Sequence, residues 1–190
     1  MRYTVFCGSS SGIDKEFSDQ AYALGKELAS QQIGVVYGGA KVGLMGAVAD
    51  GCLHHGGDVI GVLPRFLQDV ELGHTGLTAL ILVDTMHERK AKMDELSEGI
   101  IALPGGYGTL EEFFEMLTWA QLGIHKKPVA LLNIDGFYEP LLQMIENMIT
   151  KGFLKQVNRD MIVVADTVGE LLSLMSSYEA PKEGKWIKKE

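Results

Sequence analysis

The sequence predicts an α/β fold: a single Rossmann-like domain with a doubly wound parallel sheet flanked by helices. Three observations lead there. Short apolar runs alternate with longer segments of helical period, the pattern of βα units that build a parallel sheet. Most of the runs are rich in β-branched residues and lack polar–apolar alternation, as strands covered on both faces do. Glycines gather where runs end, at the sheet edge where ligands of such folds bind.

Taken in order, the strands are predicted at 3–7, 34–37, 58–63, 79–83, 99–103, 129–132 and 161–164. The helices between and after them are predicted at 15–31, 44–55, 86–97, 110–122, 136–151 and 167–176. One domain over 1–179 accounts for all of these, and 180–190 reads as a polar, lysine-rich tail with little to bury. No internal repeat interrupts the pattern.

Composition narrows the function classes. The chain has 190 residues, 46% hydrophobic and 22% charged, which places it among globular domains and away from disordered chains. Its formal net charge of −8 repels polynucleotide phosphates and acidic headgroups, so no nucleic-acid and no membrane partner is expected. Small anions remain possible ligands, because a few cations and helix amino termini can bind them locally. Cys7 and Cys52 form no CxxC pair, the five histidines lack HExxH spacing, and no metal or other cofactor is called for. With no signal-peptide layout and no apolar run of spanning length, a cytoplasmic location is expected.

Four loops carry the chemistry. The first, Cys7-Gly8-Ser9-Ser10-Ser11-Gly12, offers backbone N–H groups and hydroxyls to a phosphate or ribose, or is a plain turn. It matches neither GxGxxG nor a Walker A loop, which counts against an NAD enzyme and a P-loop ATPase. The second brackets a helix start with Gly38, Gly39, Gly43 and Gly46, for close ligand approach or for turn geometry and packing. The third is Pro104-Gly105-Gly106-Tyr107-Gly108-Thr109-Leu110-Glu111-Glu112, which sets glycines, a threonine and a carboxylate at the positive end of a helix dipole. Thr109 and Glu112 also have capping-box spacing, so Glu112 is either a cap or a catalyst. The fourth, Asp84-Thr85-Met86-His87-Glu88-Arg89-Lys90, places two cations near a helix start where the dipole prefers acids. They read as anion ligands or as a solvated basic face.

The third loop resembles the PGGxGTxxE motif of the LOG (LONELY GUY) family, and Met86-His87-Glu88-Arg89-Lys90 resembles that family's arginine motif. The 38–46 segment and Thr118-Trp119-Ala120-Gln121-Leu122-Gly123 are similar as well, so the likeness covers nearly the whole chain. It implies a phosphoribohydrolase that splits N6-substituted adenosine 5′-monophosphates into free base and ribose 5-phosphate. It also implies Arg89 and Glu112 as the catalytic pair. Glu71, Lys90, the residues Gly106, Tyr107, Gly108 and Thr109, and Thr118 would bind the nucleoside 5′-monophosphate. Gly8, Ser9, Gly38, Gly39, Gly43, Gly105, Leu110 and Glu111 complete the candidate substrate-binding set.

Two rivals stand beside this expectation. An older label of the family, lysine decarboxylase, would need a Schiff-base lysine set against an acidic partner, and nothing in the sequence singles one out. A non-catalytic nucleotide or molybdenum-cofactor carrier could share the fold, and the complete Arg89 and Glu112 motifs weigh against it. The segment Phe113-Phe114-Glu115-Met116-Leu117-Thr118-Trp119-Ala120-Gln121-Leu122 is apolar around much of a helix, more than one sheet-facing stripe requires. Either the helix is buried wholly inside its own domain or a second copy covers the rest; the family resemblance, which implies dimers or larger assemblies, favours a homodimer.

Overall fold

The computed structural model describes residues 1–68 and 73–181. Among the described residues seven strands are formed: β1 (Arg2–Phe6), β2 (Gly34–Tyr37), β3 (Val59–Pro64), β4 (Ala79–Val83), β5 (Gly99–Ala102), β6 (Val129–Leu132) and β7 (Ile162–Ala165). They pair in parallel throughout, in the order β4-β3-β2-β1-β5-β6-β7. The chain builds outward from β1 to one edge, then crosses back to lay β5 beside β1 and builds to the other. The topological switch point therefore falls between β1 and β5, where ligands of doubly wound sheets bind.

The helices are α1 (Lys15–Ser30), α2 (Gly43–Leu53), α3 (Met86–Glu95), α4 (Tyr107–Leu122), α5 (Glu139–Thr150), α6 (Gln156–Arg159) and α7 (Val168–Ser176). Alternate residues of the strands face two separate cores. On one face Tyr3, Val5, Val35 and Tyr37 pack with Leu24 and Leu28 of α1, Val48 and Cys52 of α2, and Leu171 and Met175 of α7. On the other, Phe6, Val36, Ile60 and Ile100 pack with Met93 of α3, Phe113 and Met116 of α4, and Ile145 of α5. This three-layer arrangement is what strands without alternation require.

The edges differ from the interior. In β4 the first two residues are exposed and the rest half-buried, so this apolar run borders solvent instead of lying covered on both faces. α1 and α2 cross closely because glycines meet backbone there. A Cβ on Gly25 would overlap the Val48 carbonyl, and one on Gly51 the Tyr22 carbonyl.

Candidate active site

A cleft of about 400 Å³ opens at the carboxyl ends of the central strands, on the α3 and α4 side. Its walls include Gly8 and Ser9 after β1, Gly38 after β2, Arg89 of α3, and the start of α4 from Gly106 to Thr109 together with Glu112. Four of the predicted glycine and cation segments thus meet at one place.

α3 is started by Thr85, whose hydroxyl accepts the Glu88 N–H at 3.1 Å, while Glu88 Oε2 accepts the Asp84 N–H at 2.9 Å. The helix then carries Arg89 inward. Arg89 is 7% exposed and Glu112 is 8% exposed, with Nη2 and Oε1 3.8 Å apart. That separation is an ion pair but longer than a hydrogen bond. Among the described residues Arg89 Nε has no hydrogen-bond partner, so the guanidinium keeps donor capacity at the cleft wall. A Cβ on Gly38 would run into Arg89 Nη2, and glycine there makes room for the guanidinium.

The cap expectation for Glu112 resolves against the box. α4 begins at Tyr107 with Gly106 as its N-cap and no side-chain cap, which leaves Thr109 inside the first turn and Glu112 in the second. A carboxylate there cannot return a bond to the N-cap amide as a box demands. The first intrahelical bond is Leu110 N–H to the Gly106 carbonyl, so the amides of Tyr107, Gly108 and Thr109 have no acceptor within the helix. Those three residues line the cleft beside the positive end of the helix dipole.

Other candidates lie around this centre. Gly105 lines a neighbouring apolar hollow with Gly8, Ser9 and Gly106. Gly39 (φ 90°) and Gly43 (φ 61°) supply left-handed turns, and the Gly39 carbonyl accepts the His74 N–H at 2.9 Å. Leu110 packs on the α4 side of the core. Lys90, Glu111 and Thr118 are not brought into the cleft. Lys90 is buried, with Nζ bonded to Glu111 Oε1 and 2.8 Å from Glu115 Oε2. Thr118 donates its hydroxyl to the Phe114 carbonyl at 2.7 Å and borders a separate groove. Glu71 lies outside the described residues.

Sequence reasoning passed over the apolar wall of the cleft: Val5, Phe6, Met45, Leu67 and Met86, with Cys7. Met86 had a legible signal, one helical turn before Arg89, and its sulfur is 3.9 Å from Arg89 Nη1. Leu67 had none, since it belongs to a short 3₁₀ turn (Arg65–Leu67). Burial pushes the Cys7 thiol pKa up, the Glu112 charge adds to this and Arg89 opposes it. Cys7 is a buried residue of the cleft wall, an environment that disfavours its thiolate. Among the described residues no group of three or more His, Cys, Asp and Glu side chains converges in metal-binding fashion, and no helix is long and apolar enough to cross a membrane.

A model of the family described as "Possible lysine decarboxylase" matches residues 45–175. Over 177 residues the chain is 50% identical to the "Probable cytokinin riboside 5′-monophosphate phosphoribohydrolase LOGL1" of Oryza sativa subsp. japonica, covering 93% of this chain and 79% of the relative. It is 46% identical to the "Cytokinin riboside 5′-monophosphate phosphoribohydrolase LOG5" of Arabidopsis thaliana, covering 96% and 80%. Among solved structures, the molybdenum cofactor binding protein of Rippkaea orientalis superposes with a TM-score of 0.71 at 23% identity, covering 93% of this chain and 95% of that one. A likeness at that identity carries the fold alone. With the glycine loops and the arginine motif gathered at one cleft and this degree of identity to its relatives, the chain belongs to the LOG family.

Proposed function

We propose that this protein hydrolyses the N-glycosidic bond of adenosine 5′-monophosphates, N6-substituted ones included, to free base and ribose 5-phosphate. Arg89 and Glu112 are its catalytic pair. The observation that carries this reading is the buried Arg89–Glu112 pair, set beside the uncapped first turn of α4 in one cleft. The activity named for the relatives is of the same kind.

Cleavage of a ribosyl N–C bond builds positive charge on the sugar, and a fixed carboxylate stabilises that charge where water is excluded. Glu112 fills this role and orients the attacking water. The water oxygen bonds to the anomeric carbon, the bonding pair leaves with the base, and the proton released by water ends on the base. Arg89 holds the carboxylate and offers its spare donors to the nucleotide. The 5′-phosphate takes the first-turn amides of α4, with Gly8 and Ser9 facing them across the cleft. Lys90, Glu71 and Thr118 keep the nucleotide-binding role that the family resemblance gives them only as an assignment to be tested.

Lys90 does not suit the imine-forming role that a pyridoxal-phosphate decarboxylase would need. Burial alone would lower the Lys90 pKa, but hydrogen bonds and charge from Glu111 and Glu115 raise it above its ordinary value. A lysine held as ammonium lacks the lone pair an imine needs.

The deciding experiment incubates the protein with AMP and with isopentenyl-adenosine monophosphate and quantifies base and ribose 5-phosphate. Release of both products in equal amounts is expected. Tight nucleotide binding without release would instead favour a carrier.

The working unit in this proposal is a homodimer. An apolar groove of about 220 Å³, lined by Phe114, Leu117, Ile145, Met148, Leu154 and Ile162, crosses the outer side of α4 and α5, with Thr118 on its rim. A second copy would cover it. Light scattering should give twice 20.8 kDa, and a 20.8 kDa particle at micromolar concentration would contradict the assignment. The free, buried thiols of Cys7 and Cys52 support a reducing, cytoplasmic setting.

A further inference from the structure

The direction in which the first turn of α4 points depends on how the chain leaves β5, and that exit is held from outside the cleft. The β5–β6 register runs only to Ala102 and Leu131, so the Leu103 carbonyl lies past the ladder. It accepts a hydrogen bond from the Tyr138 hydroxyl at 2.6 Å. Tyr138 is buried, and burial raises its phenol pKa, which keeps the hydroxyl a donor.

Tyr138 is itself seated by a buried asparagine. Its backbone N–H donates to Asn133 Oδ1 at 2.8 Å, and Asn133 Nδ2 donates to Glu139 Oε1 at 3.2 Å and to Asp166 Oδ1 at 3.1 Å. Between Asn133 and Tyr138 the backbone turns left-handed at Asp135 (φ 51°) and Gly136 (φ 67°). A non-glycine residue is disfavoured there, and the Asn133 bonds hold the turn against that preference.

Beyond Leu103 the chain has little slack. The Pro104 carbonyl accepts the Gly8 N–H at 3.0 Å, and a Cβ on Gly105 would overlap Thr109 Oγ1. A displacement at Leu103 therefore passes directly into the turn that begins α4.

We infer that Tyr138, seated by Asn133, is a positioning residue for the turn at 106–109, setting nucleotide affinity through the Leu103 carbonyl without touching the ligand. This rests on the reading of that turn as the seat of the 5′-phosphate.

Tyr138→Phe keeps the ring and removes only the hydroxyl. KM for a nucleoside 5′-monophosphate is expected to rise about fivefold with kcat within about twofold, a change equivalent to about 1 kcal/mol of binding. The dissociation constant of ribose 5-phosphate, measured by calorimetry, should rise by the same factor. Glu139→Ala loosens Asn133 from the surface and should shift both constants in the same direction by less, which also serves if Tyr138→Phe fails to fold. Val59→Ala, at the amino end of β3, lowers the melting temperature but should leave both constants alone. Unchanged constants in Tyr138→Phe and Glu139→Ala, or an equal rise in Val59→Ala, overturns the inference. So does a wild-type protein that binds no ribose 5-phosphate. A wild type that binds it yet releases no base defeats the functional reading instead, and the calorimetric comparison still decides the role of Tyr138.

Discussion

Two adjacent cations on α3 meet three carboxylates on α4 and do so differently. Lys90 is closed between Glu111 and Glu115, its side chain only 4% exposed, with a hydrogen bond to the first and 2.8 Å to the second. Arg89 and Glu112 are also buried but stand 3.8 Å apart at the wall of a cleft, and Arg89 Nε has no hydrogen-bond partner among the described residues. A closed pair spends its donors on its own fold. An open pair holds charge in a low-dielectric site and can still engage a third group, which is what electrostatic catalysis uses. Neighbours in sequence thus divide into a tie between helices and a candidate site, and the division turns on distance and on what lies beyond each pair.

The sharpest way to break this comparison is Glu112→Gln. The substitution preserves size and hydrogen-bonding capacity, so the fold should survive with a small change in melting temperature. Base release should fall by roughly a hundredfold or more, the scale seen when one electrostatic group is lost. Near-normal release would move the role to Glu111 or Glu71 and close the distinction between the pairs. A second test changes the ligand. Adenosine lacks the anion for the α4 turn, and charge-assisted bonds are worth about 1.5–3 kcal/mol each, so kcat/KM should fall about tenfold or more relative to AMP. Equal efficiency on both would remove the phosphate seat.

The closed pair has its own test. Lys90→Met leaves Glu111 and Glu115 facing each other; because both carboxylates reach solvent, the loss should be about 1–3 kcal/mol, below the full cost of breaking a buried pair. A drop in melting temperature larger than the change in KM is expected. A raised KM at unchanged stability would show instead that Lys90 meets the nucleotide.

The smallest effect concerns another tie to α4. His125 Nε2 bonds the Met116 carbonyl at 3.0 Å and Nδ1 accepts the Lys127 N–H at 3.2 Å, so the ring is neutral. Burial lowers its pKa below 6.5, with nearby Lys127 adding to this and Asp94 opposing. Its contribution is full above pH 6.5 and is lost as pH falls below that value towards the lowered pKa of the folded state, because the unfolded chain then binds the extra proton. Thermal melts of His125→Gln should show a flatter pH dependence than wild type between about pH 7 and 5, the range of ordinary histidine titration. Parallel curves would exclude His125 as the source.

Strand positions were legible because parallel strands buried on both faces leave unbroken apolar runs, and each predicted strand overlaps the observed one. Helix starts were less so. α4 was expected from Leu110 because Thr109 and Glu112 have capping spacing, yet it begins at Tyr107, where glycines accept helical backbone without a side-chain cap. α5 was expected from Gly136, but the left-handed Asp135 and Gly136 delay it to Glu139. α6 was not anticipated at all, since its four residues (Gln156–Arg159) are too short to show a period. The motif residues that form the cleft stood out in the sequence. Which cation would be open and which closed did not, because that depends on Glu115, a residue with no motif around it.

The strand order has a consequence for how the protein comes into being. β1 and β5 are neighbours in the sheet, with Tyr3 paired to Gly99 and Phe6 to Ala102, so the centre joins segments far apart in the chain. Closing so long a loop is entropically slow, and contacts of high sequence separation delay folding. During synthesis the first four strands emerge with β1 as an unpaired edge, the very edge later covered by β5. An amino-terminal fragment ending before β5 would carry Arg89 but no partner for it, and would expose a strand edge open to association with other chains.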